Sequence, residues 1–535
     1  MIPFGKSRRS AENPLVASAG GRLFIDVTYL MRLPGPRRLL PAVLANADEL
    51  MASALTEVAG REEFLRGRRP GLTRLSLLGW IAPALLRGLG YLCLWAPERS
   101  AQYIDRVIHK RAAAAEKRVQ AMAPEPVRLR GVRDMLGGLF ESLFPLVPGP
   151  LSGVVAYRLL GVLSRRWLGH DRDVAALGRG LVGNVTSEMG LAVGDLADRA
   201  RAWPAVAALL RERPDTDALA RLRAAEGGAA FLAELEKFLA RYGARCAGEI
   251  DVTRPRWREQ PALVLQAVGG QLRGADLGNH RREHARLAAE AVAAGERLVA
   301  AVRGTRGCWW KSWVARRLVR VVRALLALRE HPKFLLVRML GVLREVILEE
   351  ARGLQARGLL KEVEDVYFLE LPELLRLLER GGAVEGLVRC RREEHEHYRQ
   401  LVPPRVLTSD GEQVAGRRPG GALPVGALAG SAASAGVAEG PARVVLDPQT
   451  ATLEKGEVLV APGTDPGWTP LFLNAAGLVT EVGGLMTHGS VVAREYGIPA
   501  VVGVPGATRA IRTGQRVRVH GDLGYVEVLS SEGCG

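Results

Sequence analysis

Aromatic residues make up only 5% of the 535-residue sequence, and no two of its five cysteines form a CxxC pair. Cys93, Cys246, Cys308, Cys390 and Cys534 are widely separated, which excludes a disulfide framework or a zinc ribbon and fits a reducing compartment. No uncharged apolar run reaches the roughly 18 residues of a membrane span. The N-terminal MIPFGKSRRSAENP has no apolar stretch of signal-peptide length. A cytoplasmic protein without membrane contact is expected. The longest apolar stretches, Leu75 to Leu86 and the proline-interrupted Leu143 to Tyr157, read as buried core or pocket wall. A GxxxxGK phosphate loop is absent as well, so no nucleotide site of that type is present.

What the chain has is length, hydrophobicity and positive charge. With 48% hydrophobic and 24% charged residues it is too apolar for wholesale disorder and long enough for several cores. The net charge of +17 raises nucleic acid as a partner, but the arginines are scattered over helical segments rather than gathered in a tail. Compositional bias explains that spread better, and no nucleic-acid partner is expected.

From about Arg37 to Tyr398 apolar residues recur three and four apart between short Gly and Pro breaks, which predicts one large helical region. Pro214 to Ala240, Leu272 to Arg303 and the segment from Trp309 onward are its clearest helices. In the last of these, Arg316, Arg320 and Arg323 read as a solvated face and Trp309, Trp310 and Trp313 as core. Only Gly21 to Tyr29 looks strand-like near the start. Residues 1–20 read as a tail and 21–400 as the helical domain. Residues 401–438, rich in Gly, Pro, Ala and Ser, read as a hinge. Beyond it, β-branched runs at Ala442 to Leu446, Glu457 to Ala461, Gly477 to Val482, Ala500 to Val504, Val517 to His520 and Tyr525 to Leu529 predict a small α/β domain over 439–535.

Within that domain His488 follows a strand and a Gly483-Gly484 turn and precedes a helix over Val491 to Tyr496 that Gly489 and Ser490 open. Backbone N–H groups and the helix dipole at such a position suit an anion, so a histidine carrying a phosphoryl group would be favoured there, with Thr487 beside it. A lone histidine beside a turn is, on its own, more often a structural hydrogen-bonder.

The segments GTDPGWTPLF (Gly463 to Phe472) and GLVTEVGGLMTHGSVVAREYGIPAVVG (Gly477 to Gly503) closely resemble the mobile phosphohistidine domain of phosphoenolpyruvate-utilising enzymes, whose phosphorylated histidine falls on His488. The stretches AGGRLFIDVTYLM (Ala19 to Met31), RYGARCAGEIDVTRPRW (Arg241 to Trp257), LREHPKF (Leu328 to Phe334) and EDVYFLELPEL (Glu364 to Leu374) extend the resemblance to the rifampicin phosphotransferase branch, over about residues 20 to 530. The resemblance implies a helical acceptor-binding domain followed by a swivelling α/β domain. It also implies transfer of a phosphoryl group from ATP through His488 to a hydroxyl of an apolar small molecule, as in antibiotic resistance.

In that branch an ATP-grasp domain loads the histidine. None precedes the helical region here, so ATP and Mg2+ are expected on a separate ATP-grasp partner, and none is expected to bind this chain alone. The alternative is an incomplete homologue that binds or sequesters a small molecule. Arg329 and Lys333 match the arginine and lysine of the family's acceptor site, and fixed positive charge is what phosphoryl transfer requires. A kink is expected between them at Pro332. His331 stands where the family has tyrosine. Thr464 and Asp465, with Thr487, Gly489 and Ser490, are implied to support the phosphohistidine. Arg245 and Glu249 of RCAGEID are either acceptor or phosphate contacts or a buried ion pair. Arg494 faces a nucleotide-bearing partner or solvent. The HRREH of His280, Glu283 and His284 imitates a zinc pattern but lacks a third ligand, so no metal site is expected.

Overall fold

The structure is a computed structural model that describes residues 8–9, 16–32, 34–45, 48–61, 74–122, 126–138, 144–212, 217–274, 277–306, 308–401, 403–417, 423–424, 426–448, 451–485 and 487–529. The chain divides into two compact units. One collects described residues of Met1–Ser76, Val346–Val425 and Val482–Thr487, and the other those of Leu77–Glu345, Gly426–Glu481 and His488–Gly535.

The first unit holds an antiparallel sheet of Arg8–Arg9, Val16–Ala19 and Arg22–Ile25, with Val16 opposite Ile25. Residues read from sequence as a tail therefore contribute strands. The turn between the second and third strands needs its glycine: Gly21 has φ +66°, and a Cβ there would lie 2.7 Å from the Tyr398 ring. Met31, Ala54, Leu55, Val406 and Val414 form a small core. Val406–Leu407 and Gln413–Val414 pair antiparallel.

The second unit is mostly helical. Its helices include α1 (Pro97–Gln120), α2 (Pro148–Leu168), α3 (Val185–Ala200), α4 (Ala262–Gly274), α5 (Asn279–Arg303) and α6 (Cys308–Leu325). A 3-10 turn, Leu326–Glu330, then leads into α7 (His331–Ala356). Ile104 and Ile108 of α1, Leu160 of α2 and Val321, Val322 and Leu325 of α6 share one core. Gly153 lets α2 lie against the 3-10 turn, because a Cβ there would sit 2.5 Å from the Leu326 nitrogen. Pro332 is the second residue of α7, where its missing N–H breaks no helical bond. The expected kink is thus a junction between two helical segments.

The same unit contains a sheet of β1 (Leu428–Ala429), β2 (Ser431–Ser434), β3 (Val437–Val444), β4 (Val458–Ala461), β5 (Gly477–Thr480), β6 (Ala500–Val502), β7 (Arg516–His520) and β8 (Tyr525–Val528). Their order is β1-β8-β7-β3-β4-β5-β6-β2. The central β3, β4, β5 and β6 are parallel, with Leu459 beside Leu478 and Leu478 beside Ala500. β4 and β5 are buried at every position, as parallel strands covered on both faces must be. α8 (His488–Tyr496) joins β5 to β6.

Several expectations change. The end of the supposed hinge, 426–438, is strand β1, strand β2 and the start of β3, because Gly and Ala are paired there by neighbours far along the chain. The single helix expected over Pro214 to Ala240 is two, Ala218–Ala224 and Gly228–Tyr242, parted at Gly227 with φ +76°. The tryptophans are not core: Trp309 is 80% and Trp313 63% exposed, while Trp310 meets Trp167 edge-on. Arg323 does not lie on a solvated face, since it donates to the carbonyls of Leu177, Arg179 and Gly180.

Candidate functional site

α8 begins at His488 itself, one step earlier than the sequence pattern suggests. Gly489 follows because space demands it: a Cβ would lie 2.4 Å from Thr464 Oγ1 and 3.3 Å from Leu478. Ser490 is fully buried, and the Thr487 hydroxyl donates to the Gly484 carbonyl at 2.8 Å. The start of the helix is therefore tied to the loop after β4, which carries Thr464 and Asp465.

The His488 ring touches two elements distant in sequence. Its Nδ1 lies 3.9 Å from Glu330 Oε2, an ion-pair distance too long for a hydrogen bond. Its Nε2 is 3.5 Å from Thr469 Oγ1, whose hydroxyl donates to the Pro466 carbonyl at 2.8 Å. Phe472 packs edge-on at 6.2 Å. Only 7% of the side chain is exposed.

Arg329 and Lys333 stand on either side of the junction before α7. Arg329 donates to Glu330 at 2.6 Å, and Lys333 Nζ lies 3.0 Å from Glu249 Oε1. Burial alone would push the Glu330 carboxyl up, but Arg329, His488 and Lys333 together hold it well below the usual carboxylate range. Glu249 in turn accepts from Arg245 at 3.1 and 3.2 Å, and both side chains are fully buried. Of the two readings of that pair, the geometry is that of a buried ion pair, with the Arg245 guanidinium over the Phe334 ring at 4.8 Å.

Asp465 connects this loop to the strand side of the site. One oxygen accepts from Gly467 N at 2.9 Å and the other from Gly248 N at 2.6 Å. Burial raises its carboxyl, with Glu249 nearby adding to the effect. Gly467 lies so close to the Cys246 carbonyl that a Cβ would be 2.1 Å away.

His488, Arg329, Lys333, Glu249, Arg245, Thr464, Gly489 and Asp465 thus form one connected cluster. Arg494 is partly buried rather than solvent-facing, next to Tyr157 and Arg329. His280 pairs with Asp195 at 3.0 Å and Glu283 with Arg286 at 2.6 Å, which commits two members of the zinc-like pattern. Glu330, Thr469 and Phe472 were not singled out from sequence. Each lies inside a segment the sequence did mark, but nothing in the pattern told which neighbour would turn toward the ring.

Neither contact fixes the tautomer of the ring, since Glu330 stands beyond hydrogen-bond reach of Nδ1 and the Thr469 hydroxyl is spent on the Pro466 carbonyl, but an imidazole beside an ionised carboxylate and two cations can act as a nucleophile toward an anionic group. Residues 145–330 match the rifampicin phosphotransferase fourth domain, and residues 453–524 match the PEP-utilising enzyme mobile domain. A rifampicin phosphotransferase from Bacillus cereus is 35% identical over 520 residues, covering 96% of this chain and 59% of that protein. One from Streptomyces sviceus is 38% identical over 526 residues, 96% and 58%. The prodigiosin synthesizing transferase PigC of Serratia marcescens is 30% identical over 409 residues, 74% and 45%. The chain spans about three fifths of the length of the two phosphotransferases. On these matches the chain carries a PEP-utilising enzyme mobile domain and is similar over most of its length to rifampicin phosphotransferases.

Proposed function

We propose that this protein is the carrier and acceptor component of a phosphotransferase: His488 takes a phosphoryl group derived from ATP and delivers it to a hydroxyl of an apolar small molecule. The observation that carries this reading is that His488 lies against Glu330, whose carboxylate Arg329 bonds and Lys333 also stabilises, across more than 150 residues of sequence. A ring nitrogen of His488 attacks the β-phosphorus of ATP as its bond to AMP breaks, the γ-phosphate is released to water as inorganic phosphate, and the Glu330 anion, 3.9 Å from Nδ1, offsets the positive charge the ring acquires. Arg329 and Lys333 then face the equatorial oxygens, where charge spreads during transfer. As the acceptor hydroxyl oxygen bonds to phosphorus, the N–P bond breaks and the freed imidazole takes up the hydroxyl proton, which it then returns to solvent.

ATP and Mg2+ act in this reading on a separate ATP-grasp domain. With 7% of its side chain exposed, the ring reaches such a partner only when the α/β part leaves the helices, which makes that part a swivelling carrier. The acceptor belongs to the helical part. A cavity of about 400 Å³ there is lined by Leu85, Leu89, Leu92, Val147, Leu151 and Val155, an apolar wall suited to an apolar ligand. Rifampicin is the first acceptor to test, because the named relatives act on it. PigC, whose name assigns another product, calls for a wider acceptor panel.

The experiment is incubation with ATP labelled at the β-phosphate, with and without an added ATP-grasp protein. Label on the wild-type chain and none on His488→Ala is expected. Binding of rifampicin with no label in any combination would replace the carrier by a sequestering protein.

A further inference from the structure

Glu495 is fully buried on α8, two turns from His488. Its partners come from a different part of the chain. Asn184 Nδ2 donates to Oε1 at 2.6 Å, and the Ser187 hydroxyl bonds Oε2. Both belong to the first turn of α3, where Asn184 is the N-cap and its own oxygen accepts from Thr186 N at 2.9 Å. The adjoining Tyr496 enters the same joint: its hydroxyl occupies the space a Cβ on Gly190 would need, 2.0 Å away.

The two groups that hold the carboxyl are uncharged. Arg329 and Glu330 face Glu495 from the 3-10 turn, Arg323 from α6, and Arg494 and Tyr496 from its own helix. Arg329 is bonded to Glu330, and Arg323 to three backbone carbonyls. A carboxyl sealed from water against neutral donors is cheaper to bury protonated than ionised.

We infer that Glu495, Asn184 and Ser187 form a latch that positions the His488 helix against α3, engaged with the Glu495 carboxyl protonated and released when it ionises. Glu495 is a positioning residue, acting through α8 rather than on the transferred group. The latch rests on the carrier reading in one respect, that the helix leaves α3 at all. Burial pushes the Glu495 carboxyl up to about 8 in the docked state, whereas in water it titrates in the ordinary range near 4.3. Docking therefore takes up a proton between those values. The latch is complete below the ordinary range, weakens as pH rises and contributes nothing above about 8.

The test is amide hydrogen exchange of the full chain, without nucleotide, read on peptides spanning residues 185–193 and 489–497 and corrected for intrinsic rates. In the wild type, protection should fall about tenfold per pH unit from pH 5.5 and level off near pH 8. Glu495→Gln keeps the neutral hydrogen bonds, so its protection should be retained and flat with pH. Asn184→Ala should be poorly protected throughout. A wild-type profile as flat as that of Glu495→Gln, or loss of protection in Glu495→Gln, overturns the latch. Because no phosphate enters this readout, a pH-dependent profile in a chain that never takes up label removes the carrier and leaves the latch. Label with a flat profile does the reverse.

Discussion

Glu330 shows how much one side chain decides here. It is ionised far below neutrality through Arg329, His488 and Lys333, so its influence is present above the usual carboxylate range and is lost only as pH falls through its depressed value. Under the proposed carrier function, Glu330→Gln should slow transfer from phosphorylated His488 to acceptor by about 100-fold, by the same factor at every pH between 5.5 and 9. A deficit that vanished toward pH 9 would contradict this role. Glu249 makes a different prediction. With Arg245 fully buried against it, Glu249→Gln leaves a guanidinium without its counter-charge and should cost about 3–5 kcal/mol of stability in urea unfolding. In the sequence, His488, Arg329 and Lys333 stood out through the family resemblance of the motifs that hold them, since a lone histidine or a basic pair states no chemistry by itself. Glu330 was not singled out, because i,i+1 neighbours say nothing about which faces a ring more than 150 positions away.

At the scale of elements, α8 depends on one contact that the sequence displays as a bare glycine. Gly489→Ala places a methyl 2.4 Å from Thr464 Oγ1, an overpacking that should cost about 1–3 kcal/mol and lower the melting temperature. Removing the hydroxyl in Gly489→Ala/Thr464→Ala should recover most of it, and no recovery would place the strain elsewhere. The strands of the α/β part were legible because β-branched runs between Gly and Pro leave little choice. Strands β1 and β2 were not, because SAAS and LA carry no such signal and owe their conformation to pairing with β6 and β8. The tryptophans of α6 failed for a related reason: helical spacing puts them on one face without saying whether anything covers it.

Across the whole of the second unit, sheet and helices share apolar packing. Leu459, Trp468, Phe472 and Val492 lie in one core with Met189, Phe238 and Val268. That packing closes over His488, and at Gly467 the backbones of the two sides meet, so Gly467→Ala should pry them apart. His488 should then react with diethyl pyrocarbonate at least several-fold faster than in the wild type, followed by peptide mass spectrometry, and an unchanged rate would show that the contact does not govern access. The excess of arginine likewise takes its meaning at this scale, through pairs such as Arg320 with Glu98 and Arg338 with Glu116. The sequence by itself determined the alternation of a helical region with a small α/β part, because periodicity is a local property of a chain, and its motifs pointed to the histidine and two cations by resemblance. The tertiary structure alone decided the carboxylate at Nδ1, the burial of Arg245 with Glu249 and the hold of Asn184 and Ser187 on Glu495. Each joins residues from separate segments, and burial, which sets whether a charge is worth keeping, exists only once those segments have met.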